Sequence, residues 1–133
     1  MSLVKDVMNS DLLYISEGER LDVARHPMLE FGVTAVPVLD DEHRPVGVIS
    51  LRDLMLGAPA EATSPVWSVA ETATVEEAAR AMGEASFHHV VVVNGEGRAV
   101  GMLSALDLVR AFAGLPPKHP AAFARFASNH PRV

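Results

Sequence analysis

Short apolar segments alternate with helix-like segments along the chain, and the same alternation occurs twice. Two short segments are apolar, residues 12–16 and 66–70. Two longer segments are rich in β-branched side chains, residues 33–40 and 87–94. Both patterns are typical of strands that are buried on at least one face. The pattern predicts four strands at these positions, with a helix between the members of each pair.

The helix pattern is clearest between residues 71 and 86. Apolar residues recur there at helical spacing with glutamates on the outside, which predicts an amphipathic helix. Thr74 is suited to cap its start, with Glu77 three residues later as the partner of a capping box. The apolar positions are Val75, Ala78, Ala79 and Met82.

The corresponding helix of the first half contains a proline. Pro27 would remove a backbone donor and clash with the preceding turn if it lay in a helix interior. The second half has Ala81 at the same position. We therefore expect the first helix to be kinked or to begin late, with Pro27 in its first turn, and the second helix to be regular.

A shift of 54 residues aligns the two halves without a gap. The alignment runs from about residue 12 to residue 54, the length of a whole structural unit. After a turn, each half continues with a return strand and a closing helix. This predicts an α/β fold of two β-α-β-β-α repeats, residues 1–60 and 61–115, which pack face to face about a pseudo-twofold axis.

Composition excludes several classes of site. The 133 residues are 49% hydrophobic and carry a formal net charge of −6, with no run rich in lysine and arginine, which argues against nucleic-acid binding. The chain has no cysteine, so disulfides, zinc–thiolate sites and cysteine nucleophiles are absent. No apolar stretch is long enough to span a membrane and no secretory signal pattern occurs, so we expect a cytoplasmic protein.

The same strand-to-helix corner appears in both halves as Gly-x-x-Ser-x-x-Asp, at Gly47, Ser50 and Asp53 and again at Gly101, Ser104 and Asp107. One interpretation is structural: the serine caps the helix and the aspartate favours its positive end. The other is functional: the helix start attracts a phosphate, and the carboxylate accepts hydrogen bonds from a ribose diol. The glycines fit either a bulge or a close approach of backbones.

The two halves resemble a tandem pair of CBS domains, the cystathionine β-synthase-type regulatory modules. Residues 33–40 with 46–54, and 87–94 with 100–108, carry the resemblance, which covers about residues 4–113. It implies a pair with two clefts that bind AMP, ADP, ATP or S-adenosylmethionine as a regulatory ligand. It also implies a homodimer that signals to an effector protein, with no required cofactor.

The resemblance further implies composite clefts in which the serine and aspartate of one repeat face the strand rim of the other. Arg52 beside Asp53 is suited to phosphate, since guanidinium matches phosphate geometry, whereas the equivalent Leu106 is not. The second-repeat cleft would combine Ser104 and Asp107 with Ile15, Ser16, Val33, Thr34, Ala35 and the stiffening Pro37. The first-repeat cleft would combine Ser50, Arg52 and Asp53 with Val69, Ala70, Phe87, His88 and His89.

The histidines give a weaker signal. His88 and His89 are neighbours on a predicted strand, so at most one faces a cleft, where it could contact phosphate. A surface or strand-end role is the alternative. Metal binding is less favoured, because the other histidines show no ligand spacing; these are His26, His43, His119 and His130.

No catalytic constellation is recognisable. The chain has no P-loop, nucleophile elbow or dinucleotide fingerprint, so we expect a non-catalytic protein. One alternative function is a structural dimerisation module with empty clefts, and a less favoured one is an enzyme that acts on nucleotides. The proline-rich tail, residues 116–133, contains a short apolar piece that either forms one or two helical turns or is disordered.

Overall fold

The computed structural model describes residues 2–56 and 66–119. The apolar piece of the predicted tail lies outside these residues, as does the junction between the two predicted repeats. The elements in chain order are α1 Val4–Val7, β1 Ile15–Ser16, a 3₁₀ helix Leu21–Ala24, α2 Arg25–Phe31, β2 Ala35–Leu39, β3 Pro45–Ser50, α3 Leu51–Met55, β4 Ser68–Ala70, α4 Val75–Ala85, β5 His89–Val93, β6 Ala99–Ser104 and α5 Ala105–Phe112.

The strands form two three-stranded sheets of the same design. Their orders are β1-β2-β3 and β4-β5-β6, and in each sheet the first pair is parallel and the second antiparallel. A helical segment connects the parallel strands, as a parallel pair requires. The predicted α/β class with two β-α-β-β-α repeats is therefore confirmed.

The compact units differ from the predicted repeats at the N-terminus. One unit contains the described residues of Asp11–Val66, and the other contains those of Met1–Ser10 with Trp67–His119. Residues 2–10, which the sequence division assigned to the first repeat, thus belong to the unit of the second. Val4 N and Lys5 N donate to the carbonyls of Ala73 and Glu71 at 2.8 and 3.0 Å, and Val4 is fully buried. These contacts explain why residues 2–10 belong to the unit of the second repeat.

Each unit has its own hydrophobic core, built from alternate residues of its strands and one face of its helices. This arrangement follows from the two-residue period of a strand, which turns successive side chains to opposite faces. The core of the 11–56 unit contains Leu13, Ile15, Ala24, Met28, Val36, Val38, Ile49 and Leu54. The core of the other unit contains Val4, Val7, Val75, Ala78, Met82, Val90, Val92, Leu103 and Leu108.

The repeated glycines lie beside irregularities in the antiparallel pairs. The register shifts after the pair Val38–Gly47 in one sheet and after Val92–Gly101 in the other. A β-carbon at Gly101 would also come within 2.9 Å of the Asn9 carbonyl oxygen. Gly101 therefore serves both predicted purposes, a bulge and a close approach of two backbones.

The two hairpin turns are also equivalent. The side-chain oxygens of Asp40 and Asn94 each accept hydrogen bonds from amides two and four residues later, at 2.9–3.1 Å. The turn predicted at Asn94 is present. Its left-handed residue is Gly97, with φ 80°, and His43 has the matching conformation in the first turn, with φ 64°.

The helices follow the predictions from proline and capping. In the first repeat, a 3₁₀ helix precedes α2, and Pro27 occupies the first turn of α2, as expected. In the second repeat, α4 is a regular α-helix of 11 residues with Ala81 in its interior. The Thr74 hydroxyl accepts a hydrogen bond from Glu77 N at 3.1 Å, so the predicted N-cap is confirmed.

Candidate functional site

The serine of each repeated corner caps the helix that follows. Ser50 Oγ accepts a hydrogen bond from Asp53 N at 3.2 Å, and Ser104 Oγ accepts one from Asp107 N at 3.0 Å. Both serines end a strand and have extended backbone angles, the conformation that an N-cap requires. The structural interpretation of the motif is therefore confirmed in both copies.

The two aspartates differ in their surroundings. Asp107 Oδ2 accepts a hydrogen bond from Ser104 N at 2.9 Å, which completes a capping box. The Asp107 side chain is only 10% exposed, whereas Asp53 is exposed. Since the capping box uses Oδ2, the second oxygen, Oδ1, is the one that a ligand hydroxyl could reach. The second corner is therefore the more preorganised of the two.

The helix starts offer few backbone donors to a phosphate. Leu51 N donates to Thr34 O and Ala105 N donates to His88 O, both at 2.8 Å. The third amide of each helix donates to the serine hydroxyl. The described contacts therefore leave one first-turn amide per corner for a ligand, which in α5 is the amide of Leu106. The corner is therefore better suited to accept hydrogen bonds at its carboxylate than to surround a phosphate with amides.

His89 lies beside the second corner. It is the first residue of β5 and pairs directly with Ser104 of β6, so the two side chains share one face of the sheet. Burial lowers the pKa of His89, and the nearby His88 lowers it further, while Asp107 acts in the opposite direction. The lowered pKa favours the neutral imidazole, which can donate one hydrogen bond and accept one. His88 is exposed.

The structure separates the predicted site residues of the 11–56 unit into two groups. Val33, Thr34 and Ala35 lie with Ser50 at one end of the β2–β3 pair, where Ala35 faces Ser50 in register. Ile15 and Ser16 instead pair with Val38 and Leu39. They lie about 10 Å further along the strand, three residues at about 3.3 Å each. Pro37 is buried between the two groups, and Arg52 is exposed on α3.

The other unit divides its predicted residues in the same way. Phe87, His88 and His89 lie at the end of the sheet that carries Ser104 and Asp107, since β5 begins where β6 ends. Val69 and Ala70 pair with Val92 and Val93 at the far end. The predicted combination of residues from different repeats in one cleft stays a prediction.

Sequence reasoning missed two residues near the second corner. Trp67 precedes β4 and meets Phe87 edge to face, with ring centroids 5.3 Å apart and 46% of the tryptophan exposed. Because parallel neighbouring strands begin at the same end of a sheet, the sequence could have placed Trp67, just before β4, near the start of β5. His119 reaches Asp107 from beyond α5, with Nδ1 3.9 Å from Oδ1. No sequence pattern predicts a contact of this kind.

Two matches to one family account for the repeat. The family described as CBS domain matches residues 4–58 and, separately, residues 60–114. The chain belongs to the CBS domain family. As the resemblance of the repeated motifs predicted, it carries a tandem CBS pair, and the Ser-x-x-Asp corner occurs once in each domain.

Known proteins are similar to this CBS pair over most of its length. Hypoxic response protein 1 of Mycobacterium tuberculosis is 26% identical over 122 residues, which cover 83% of this chain and 85% of that protein. A crystal structure of hypoxic response protein I holds two coordinated zinc ions; it is 26% identical, covers 82% of this chain and 98% of that one, and has a TM-score of 0.69.

CBSX2 in complex with AMP is a third similar protein. It is 28% identical, covers 86% of this chain and 98% of that one, and has a TM-score of 0.73.

In the CBS pair described here, residues 2–56 and 66–119 contain no group of three or more histidine, aspartate or glutamate side chains placed to hold a metal ion. Within these same ranges, no helix is long and apolar enough to cross a membrane.

Proposed function

We propose that this CBS pair is a non-catalytic sensor that binds an adenine nucleotide at the Ser104–Asp107 corner and signals its occupancy to a partner protein. The observation that carries the proposal is the fixed position of the Asp107 carboxylate. One carboxylate oxygen is held by the backbone of Ser104, and the other, Oδ1, lies at the end of the sheet, 3.9 Å from His119 Nδ1. A fixed acceptor of this kind suits a ribose hydroxyl.

The surroundings of the corner support a nucleoside ligand. The exposed ring pair of Trp67 and Phe87 lies at the same end of the sheet, where its apolar surface suits a purine base. His89 supplies a neutral imidazole next to Ser104. AMP is the preferred ligand because the similar CBSX2 structure contains it. ATP and S-adenosylmethionine are the alternatives that the family resemblance implies.

The Ser50–Asp53 corner is proposed as a second, weaker site. Its aspartate is exposed and its helix α3 has only five residues, so the corner has less preorganised charge than the α5 corner. Arg52 is its distinguishing group, because an exposed guanidinium can pair with a phosphate where Leu106 cannot. The two sites would then differ in their preference for the number of phosphates.

Calorimetric titration of the full chain with AMP, ATP and S-adenosylmethionine tests the proposal. Asp107→Asn keeps the size of the side chain and a cap acceptor but removes the charge, so we expect AMP affinity to fall about tenfold or more, the loss of one charge-assisted hydrogen bond. Asp6→Asn is the matched control, since Asp6 Oδ2 also caps an amide three residues earlier, that of Leu3 at 3.1 Å.

Two results would contradict the proposal. Absence of heat from all three ligands at millimolar concentration would exclude sensing of these compounds. An equal loss of affinity in Asp6→Asn and Asp107→Asn would indicate a general effect on the fold. Asp53→Asn separates the corners: it should affect only a weaker second binding event.

The second candidate function is a structural dimerisation module, which a different observation favours. Helix α5 exposes three apolar side chains at a spacing of three residues: Leu106, Val109 and Phe112, with 65%, 61% and 57% of their surfaces accessible. We name these three side chains the α5 stripe. A contiguous exposed apolar surface is typical of an interface, and the titration distinguishes the two candidates because only the sensor binds a ligand.

A further inference from the structure

The segment after α5 turns back and is held against the helix. Gly114 has a left-handed backbone, with φ 74°, which ends the helix. Leu115 N donates to Arg110 O at 2.9 Å. The Arg110 side chain then donates from both Nε and Nη2 to Pro116 O, at 3.0 and 2.9 Å. These contacts give residues 115–119, which we name the strap, a defined path.

His119 ends the strap and contacts two fixed groups of the same unit. Its Nε2 lies 3.0 Å from Met8 O, and its Nδ1 lies 3.9 Å from Asp107 Oδ1. Met8 is itself held, because the next residue, Asn9, exchanges two backbone hydrogen bonds with Met102 of β6. The His119 side chain is 26% exposed, although the rest of the strap is exposed.

The oxygen that His119 approaches is the one that the proposed site requires. Asp107 Oδ2 is used by the capping box, so a ribose hydroxyl would bind Oδ1 at hydrogen-bond distance, about 2.7 Å. An imidazole nitrogen lies 3.9 Å from the same atom, and the Asp107 side chain is only 10% exposed, so His119 restricts the directions from which that hydroxyl can approach. Asp53, the equivalent residue of the first repeat, is exposed.

We propose that the strap is an autoinhibitory latch, in which His119 covers the Asp107 carboxylate and is displaced when an adenine nucleotide binds. The inference rests on the proposed function and adds a regulatory element to the same site. If a ligand binds only when the strap is open, its apparent affinity equals its intrinsic affinity multiplied by the fraction of molecules with an open strap. Weakening the strap should therefore tighten binding, which is opposite to the effect of removing a residue that contacts the ligand.

Titration of the full chain with AMP tests the latch through two independent variants. His119→Ala removes both contacts at the end of the strap, and Arg110→Gln releases its middle from Pro116 O. We expect AMP to bind about three- to tenfold more tightly to each variant than to the unmodified protein. Lys118→Met is the control: it removes a positive charge from the same strap at an exposed position and should leave the affinity unchanged.

The outcomes separate the latch from the proposed function. If all four proteins bind AMP with equal affinity, or if His119→Ala weakens binding, the latch is wrong while nucleotide binding stands. If none of them binds AMP, ATP or S-adenosylmethionine at millimolar concentration, both proposals fail. Tighter binding by His119→Ala and Arg110→Gln but not by Lys118→Met supports the latch.

Discussion

Asp53 and Asp107 are two copies of one residue, and their neighbours give them different chemistry. Both follow a serine that caps their helix. Only Asp107 closes a capping box and has an imidazole within 4 Å, at 3.9 Å from Oδ1. Local sequence therefore accounts for the cap in each copy. The imidazole beside Asp107, in contrast, belongs to His119, which also contacts the Met8 carbonyl, 111 positions away in the chain.

His89 makes stability depend on pH. Because burial lowers the pKa of its folded imidazole below the ordinary value of 6.5, the unfolded chain binds a proton at this residue that the folded protein does not. Its contribution is complete above about pH 6.5 and is lost as the pH falls towards the lower folded pKa. The unfolding free energy of His89→Gln should therefore decline less on acidification.

Urea unfolding between about pH 7.5 and about pH 5 measures this dependence. His26→Gln is the control, because His26 is exposed on α2. Parallel pH profiles for the unmodified protein and His89→Gln would show that His89 binds its proton equally well in both states.

Helix α2 and helix α4 show how one residue type decides the form of an element. They occupy the same place in the two repeats, yet α2 has 7 residues after a 3₁₀ helix and α4 has 11. The difference follows from Pro27, which fits only a first turn, where amides have no partner within the helix. The sequence predicts this contrast because the effect of proline is local.

Exchanging proline and alanine between the repeats tests the explanation. Pro27→Ala should change the unfolding free energy by less than about 1 kcal/mol, because no hydrogen bond or clash is at stake in the first turn. Ala81→Pro, in the interior of α4, should cost about 3 kcal/mol or more. Ala81→Gly, expected to cost about 1 kcal/mol, controls for loss of the side chain. Equal costs for the two proline exchanges would contradict this account.

At the scale of the whole molecule, the α5 stripe leaves apolar surface exposed in a chain with a net charge of −6. Charge of one sign disfavours non-specific self-association, so association through the stripe would require a matched apolar contact. We expect a second copy of the chain to supply that contact, since the same surface can face itself across a twofold axis.

Val109→Glu tests the predicted homodimer. We expect the unmodified protein to sediment as a dimer and this variant as a monomer, because the new carboxylate lies in the centre of the stripe. Val23→Glu, at another exposed apolar position, is the control and should stay dimeric. Sedimentation equilibrium at micromolar concentration gives the masses, and a monomeric unmodified protein would exclude the homodimer.

The amino-acid sequence by itself determined the features that depend on near neighbours. The duplication, the order β-α-β-β-α, the serine and threonine caps and the start of α2 were predicted correctly, because periodicity, capping and proline act within a few residues. The repetition of these local features also carried the resemblance to a tandem CBS pair. The sequence also showed the serine and aspartate of each corner, and it allowed both a structural and a ligand-binding interpretation of them.

Only the tertiary structure decided which distant residues meet. It placed residues 2–10 in the unit of the second repeat, set Ile15 and Ser16 three positions along β2 from Ala35, and brought His119 to Asp107. Such contacts depend on strand register and on where chain ends return, which no local pattern encodes. The sequence therefore showed the corner twice, and the fold made its two copies unequal.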